Sequence, residues 1–264
     1  MAQTAQEAAN PDYDDHAILF LELLWGEGHL SPGGTEEVDR IVAGVDFAGK
    51  RVLDIGCGSG GNALHLARTT PLAHITGFDV EEPVIKVATE RARQEGLQDR
   101  VSFVRASPGQ LPFEDGAFDV IFSKDSLLHI PNKKALCADI FRITAPGGEV
   151  ALGDWMIGHD HEMSDDMKAY VAAEDLGFAM GSANTYEAAM KAAGFVDVRT
   201  VSRNSWYHEK AIGELAEMQG PRYAELCEAC GKEYIDYQIN TWMLMVKVLN
   251  SGEHSPSHLF GRRP

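Results

Sequence analysis

"VLDIGCGSGG", residues 52–61, decides how this chain is read. Aliphatic and β-branched residues run up to Asp54 and Ile55, then give way to Gly56, Gly58, Gly60 and Gly61. The first half has the pattern of a strand buried on both faces. The second half is a tight turn whose glycines accept positive φ and let another group approach the bare backbone. "GNALHLART" follows with helical periodicity, so the turn leads from a strand into a helix whose first N–H groups point at whatever is bound there. The expectation is a nucleotide-like cofactor against residues 54–61.

The same alternation continues outward. "HITGFDV", "VSFVRAS", "FDVIFSKD", "GEVALGDW", "DVRTVSR" and "SHLFGRR" read as strands, and "EPVIKVATERARQEG", "NKKALCADIFRITA" and "YEAAMKAAGF" as helices. Apolar strands separated by amphipathic helices predict a parallel sheet covered on both faces, and right-handed crossovers make it doubly wound. The fold class is therefore α/β, with a mostly parallel, seven-stranded sheet. Residues 1–48 form an N-terminal helical cover: "DYDDHAILFLELLWGEGHL" is helical in its middle, and "EEVDRIVAGV" forms a second helix capped by Thr35. Residues 49–264 form the main domain. Within it, the Met-rich stretch at about 156–182 breaks the rhythm and has the length of a lid. Residues 208–250 read as largely helical.

The formal net charge of −17 disfavours nucleic acid and anionic membrane surfaces as partners, and the expected partner is a small molecule. No stretch is apolar for long enough to cross a bilayer. The four cysteines, Cys57, Cys137, Cys227 and Cys230, form no framework, which points to a reducing, cytoplasmic setting. Cys227 and Cys230 have redox or zinc spacing but lack a second pair, and lie in a helical context. No metal site is expected, and oligomeric state is not readable.

Gly56-x-Gly58-x-x-Gly61, with Asp79 at the end of the next strand, also matches the dinucleotide fingerprint. Asp54 separates the possibilities. An acid at the mouth of the site opposes a pyrophosphate and suits a cationic amino-acid moiety, which disfavours a nicotinamide oxidoreductase. "DIGCGSG" resembles the D-x-G-x-G-x-G run of class I S-adenosylmethionine-dependent methyltransferases. "GFDV", "VRASPGQLPFEDGAFDVIFS" and "APGGEVALGDW" resemble the later motifs of that family, in order, over roughly residues 50–155. The resemblance implies a Rossmann-like fold and S-adenosyl-L-methionine as cofactor. It implies cofactor contacts at Asp54, Gly56, Gly58, Gly60, Val80 and Ser123, ribose contacts at Asp79, and an adenine edge at Ala106 and Ser107.

"FSKDSLLHI", residues 122–130, places Asp125 and His129 four apart, on one face if helical, just past the fourth strand. The stretch resembles small-amine N-methyltransferases, in particular phosphoethanolamine methyltransferases and the sarcosine and dimethylglycine methyltransferases. "WGEGHLSPGG", residues 25–34, resembles the phosphoethanolamine branch more closely. Carried over, Ser31 meets the cofactor carboxylate, Leu30 lines the acceptor site, and Tyr13 is an active-site tyrosine. An amine must lose a proton before it attacks, and a histidine is suited to take it. His129 is thus the candidate base, with Asp125 holding its tautomer. Tyr13, Trp155 and Tyr170 are candidates for cation–π contact with acceptor or product, at roughly 0.5–2 kcal/mol each. In the branch's lid, basic and tyrosine side chains bind phosphate. Here that stretch keeps Tyr170, carries Glu174 and Leu176 at the neighbouring positions, and has Lys168 as its cation. Arg199, Arg203, Arg222 and Lys247 are further cations whose place the sequence leaves open. Phosphorylated and unphosphorylated amines both remain candidates. So does a methyltransferase acting on carbon or oxygen of a lipid, sterol or quinone, for which Met156, Met163, Met167 and Met180 could shape an apolar pocket. A non-catalytic binding module is disfavoured by the intact Asp125–His129 pair.

Overall fold

A computed structural model describes residues 15–264; Tyr13 lies outside the described residues. Seven strands are seen in them: β1 Arg51–Ile55, β2 His74–Asp79, β3 Val101–Arg105, β4 Phe118–Lys124, β5 Thr144–Asp154, β6 Val196–Ser202 and β7 Ser257–Arg262. They form one sheet in the order β3-β2-β1-β4-β5-β7-β6, parallel except for β7. The order reverses between β1 and β4, and ligands of open α/β sheets bind beyond the carboxyl ends of strands at such a switch.

The run that ends at the glycine turn shows why the strands form where they do. Successive residues of a strand face opposite sides. Val52 joins a buried cluster with Val120, Phe122 and helices α2 (Gly34–Ile41) and α3 (Gly61–Thr69). Leu53 and Ile55 join the opposite cluster with Ile121, Leu152 and helices α5 (Lys133–Ile143) and α7 (Ala183–Ala193). Helix α4 (Glu82–Gln94) packs against β3 and β2. Because both faces are covered, the strands read as continuous apolar runs.

A third buried cluster gathers α1 (Asp15–Trp25), α6 (Asp165–Glu174), α8 (Asn204–Gln219), α9 (Tyr223–Cys230) and α10 (Lys232–Ser251). Helices α8 to α10 lie between β6 and β7 in sequence, and α10 packs on α6 and α8. Their helical character was expected, but not their position in one layer with α1 and α6. The Glu214 carboxylate ties this layer together, accepting from the indoles of Trp25 at 2.8 Å and Trp242 at 3.0 Å. Two local expectations need correction. The cap of α2 is Gly33 in a left-handed conformation, with no side-chain cap from Thr35. The chain after β4 is not an α-helix: Asp125 adopts φ 52, and only Leu127–His129 make a short 3-10 turn. No described helix is long and apolar enough to cross a membrane.

Candidate active site

The glycine turn makes room for the chain's own segments. A Cβ on Gly61 would lie 2.4 Å from the carbonyl oxygen of Gly28, whose acceptance of the Gly61 N–H at 3.0 Å needs that close approach. Gly56, at φ 70, would place a Cβ 2.2 Å from the Ser126 side chain. The bare backbone thus lets residues 28–31 and 126 close around the end of β1. Asp79 braces the turn from β2, accepting from the N–H of Gly58 at 2.9 Å and of Glu81 at 3.0 Å.

Two cavities open here. One, of about 180 Å³, is lined by Ile55, Gly56, Gly58, Asp79, Val80 and Ser126 among others. The other, of about 470 Å³, lies under α1, α6 and α10 and is lined by Trp155, Phe178, Tyr237 and Trp242 among others. Leu30, Ser31, Asp125 and His129 line both.

The segment bearing Asp125 and His129 is fixed from several sides. The Asp125 N–H donates to Gly153 at 2.8 Å, and the Leu128 N–H to the Asp154 carboxylate at 3.1 Å. Burial pushes that Asp154 carboxyl up to about 7, and the Tyr186 hydroxyl donates to it. The Lys133 ammonium donates to the carbonyls of Leu127 and Ile130, each at 2.7 Å. The Leu128 carbonyl accepts from Ala179 at 2.9 Å, joining this segment to residues 156–182.

Asp125 and His129 face the same cavities through separate supports. The Asp125 carboxylate forms a buried ion pair with Lys124 at 2.9 Å and accepts from the Tyr207 hydroxyl at 3.0 Å. Lys124 also donates to Ser31. His129 Nδ1 lies 2.9 Å from the Leu176 carbonyl. A carbonyl only accepts, so Nδ1 carries the hydrogen and Nε2 is the accepting atom of the neutral ring. The tautomer expected to be held by Asp125 is held by a backbone carbonyl instead. Lys124, Tyr207 and the Leu176 carbonyl were all missed by the sequence reading; only Lys124 left a signal, as a cation at a strand end beside Asp125.

Other expected residues lie outside the two cavities. Asp54 is not at the mouth of the site: the chain turns only at Gly56, so residue 54 remains inside a sheet covered on both faces. Both its oxygens are buried without a partner, and burial, with the Asp79 carboxylate adding to it, pushes the carboxyl up to about 8. Ser123 is buried with its hydroxyl on the Ile55 carbonyl at 2.7 Å. Tyr170 is fully buried against Phe178 and His254 and lines neither cavity. Gly60, Ala106 and Ser107 line neither cavity. No group of described residues could hold a metal ion.

The raised Asp54 carboxyl sets a stability prediction. Between its ordinary pKa of 3.8 and about 8, the unfolded chain releases this proton while the folded chain retains it. Stability from this group is therefore full below the ordinary value and is lost as pH rises towards 8. Asp54→Asn is expected to raise Tm above about pH 8 and to leave it nearly unchanged below about pH 4. Calorimetric scans of the ligand-free chain at both pH values check this; an equal Tm shift at both would contradict it.

The profile described as "Methyltransferase domain" matches residues 46–219. The chain is 32% identical over 245 residues to phosphoethanolamine N-methyltransferase 1 of Triticum aestivum, covering 92% of this chain and 48% of that protein. It is 32% identical over 212 residues to 27-O-demethylrifamycin SV methyltransferase of Amycolatopsis mediterranei, covering 74% of this chain and 77% of that protein. Its structure resembles that of phosphoethanolamine N-methyltransferase 2 of Haemonchus contortus, solved with phosphomonomethylethanolamine and S-adenosylhomocysteine. The TM-score is 0.87 at 26% identity, over 96% of this chain and 59% of that one. The chain spans about half the length of the first curated relatives it matches. A glycine turn at the switch of a seven-stranded sheet, two cavities meeting at Asp125 and His129, and a family match over most of the chain agree: this chain belongs to the methyltransferase domain family.

Proposed function

We propose that this chain transfers the methyl group of S-adenosylmethionine to the nitrogen of a small amine, with His129 as the base. The observation that carries this is the junction of the two cavities, where Asp125 and His129 line both. The residues around the smaller cavity fit the cofactor. Asp79 keeps acceptor capacity beyond its two N–H donors, which suits ribose hydroxyls. Ser31, oriented by Lys124, is placed for the cofactor carboxylate.

When bound, S-adenosylmethionine supplies an electrophilic methyl on a sulfonium and leaves as a neutral thioether. The protein's task is to present a nitrogen lone pair in line with that methyl and to exclude water. His129 Nε2 accepts the proton the amine must lose, and Nδ1 stays locked on the Leu176 carbonyl. Asp125, anchored by Lys124 and Tyr207, points a fixed carboxylate at the amine. Tyr13 is proposed to complete the acceptor site. A second reading, methylation at oxygen or carbon of a larger apolar acceptor, is favoured by the 470 Å³ cavity and by the rifamycin methyltransferase relative. Purified protein, S-adenosylmethionine and a panel of amines and hydroxylated apolar compounds, read by mass spectrometry, test both. N-methylated product is expected; transfer to oxygen or carbon alone contradicts the proposal.

The N-terminal cover and residues 156–182 are proposed to close over the two ligands. A latch joins α1 to the glycine turn: Arg91 makes a bidentate pair with Glu22, both contacts at 2.7 Å, and also donates to the Ser59 carbonyl at 3.0 Å. Ser59 Oγ donates to Glu22 at 2.9 Å. Cofactor binding is expected to slow amide exchange over residues 15–34, and Glu22→Ala to remove most of that protection and speed S-adenosylhomocysteine dissociation several-fold. Exchange that is the same with and without cofactor would sink this closure.

A further inference from the structure

The larger cavity has a one-sided charge inventory. Its wall holds the carboxylates of Asp125, Glu174 and Asp175, and its described lining contains neither lysine nor arginine. Residues 1–14 contain none either, so that segment brings no side-chain ammonium or guanidinium wherever it lies. The cations the sequence left open are engaged elsewhere. Lys168 pairs with Glu162 and Lys247 with Asp166, each at 2.6 Å. Arg203 pairs with Glu37 at 2.7 Å, Arg222 pairs with Glu225 at 2.9 Å, and Arg199 lies 3.8 Å from the centre of the Phe260 ring. Lys124 lines the smaller cavity and is spent on Asp125 and Ser31.

An independent observation concerns unmet hydrogen bonds. Trp155, 7% exposed and part of the same wall, has no partner for its indole N–H; Glu174 Oε1 is buried without a well-formed hydrogen bond, its neighbouring donor being the Tyr170 hydroxyl behind the wall. The Tyr237 hydroxyl pins the end of α6 through the Ala173 carbonyl at 2.6 Å, which holds Glu174 in place. An indole N–H only donates and an ionised carboxylate only accepts. A hydroxyl can answer both, and an ammonium answers the carboxylate. A phosphate or carboxylate answers the indole but is then buried beside Glu174 with no lysine or arginine in the described lining to offset it. Burial pushes Glu174 up to about 7, and a cation beside it favours the ionised form.

We propose that the acceptor is an anion-free amine whose distal group, a hydroxyl or a second amine, is held by Glu174 and Trp155 while its reacting nitrogen meets Asp125 and His129. The proposal rests on the N-methylation reading above. Six aromatic rings in the wall, those of Trp25, Trp155, Phe178, Tyr234, Tyr237 and Trp242, suit a cationic amine and its methylated product.

Ethanolamine and phosphoethanolamine share a nitrogen and differ in the phosphate; putrescine exchanges the hydroxyl for a second amine. Initial rates with S-adenosylmethionine and the full chain are compared for the three, in the parent and in Glu174→Gln and Glu174→Arg, with S-adenosylhomocysteine calorimetry confirming that each variant is folded. The expected result is a kcat/KM for ethanolamine or putrescine at least about tenfold above that for phosphoethanolamine, a gap narrowed by Glu174→Gln and reversed by Glu174→Arg, mainly through KM. The higher of the two identifies the distal group. Phosphoethanolamine as the best acceptor of the parent, or an order unmoved by Glu174→Arg in a variant that still binds S-adenosylhomocysteine, overturns the proposal and leaves N-methylation standing. A chain that binds S-adenosylhomocysteine and methylates none of the three overturns the proposal together with the reading beneath it.

Discussion

Replacing His129 with alanine is expected to lower kcat by about 10²–10⁴-fold, the usual span for loss of general-base assistance. The affinity for S-adenosylhomocysteine should stay within a few-fold, because the cofactor cavity is formed chiefly by the turn, Asp79 and Val80. The structure sharpens the pH signature. With Nδ1 donating to Leu176, only the neutral ring offers Nε2 to a proton. The rate of the parent should therefore rise with pH as the ring loses its second proton and then level, and His129→Ala should lack that limb. Asp125→Asn keeps the shape but removes the charge facing the amine, and is expected to raise the amine KM more than it lowers kcat. Near-full turnover by His129→Ala at neutral pH would make catalysis here a matter of positioning alone.

The second large effect is expected at Asp79. Its carboxylate both braces the Gly58 and Glu81 amides and lines the cofactor cavity, so Asp79→Ala removes a ligand contact and loosens the turn that makes the cavity. S-adenosylhomocysteine binding should weaken by at least about tenfold, or 1.4 kcal/mol. Asp79→Asn separates the two roles. It keeps one accepting oxygen, so calorimetry should place its affinity between the parent and the alanine variant. Unchanged affinity in Asp79→Ala would remove Asp79 from the cofactor site.

The sheet was legible because its strands are buried on both faces. Val52 and Leu53 enter opposite clusters, which leaves a continuous apolar run between turn residues. The glycine turn was legible as a turn, though its glycines also admit Gly28 and Ser126. Support for the site was much less visible. Tyr207 reaches Asp125 across 82 residues, and Trp25 meets Glu214 across 189; such meetings leave no periodicity in a single sequence. The Leu176 carbonyl could belong to any residue, so its hold on His129 has no side-chain signature. Asp54 was expected at the mouth of the site, but the chain turns two residues later and leaves it buried within the sheet. Asp125 and His129 were identified from a helical spacing that does not occur: a left-handed Asp125 and a short 3-10 turn bring both to the cavity junction by another route.

Methyl transfer to nitrogen at the junction of the two cavities can be followed by incubating the full chain with methyl-labelled S-adenosylmethionine and ethanolamine, then locating the label in the product by nuclear magnetic resonance. The expected result is label on nitrogen, formed with matching S-adenosylhomocysteine and slowed by about two orders of magnitude or more in His129→Ala. Label on oxygen, or product formed equally fast without the histidine, would contradict it.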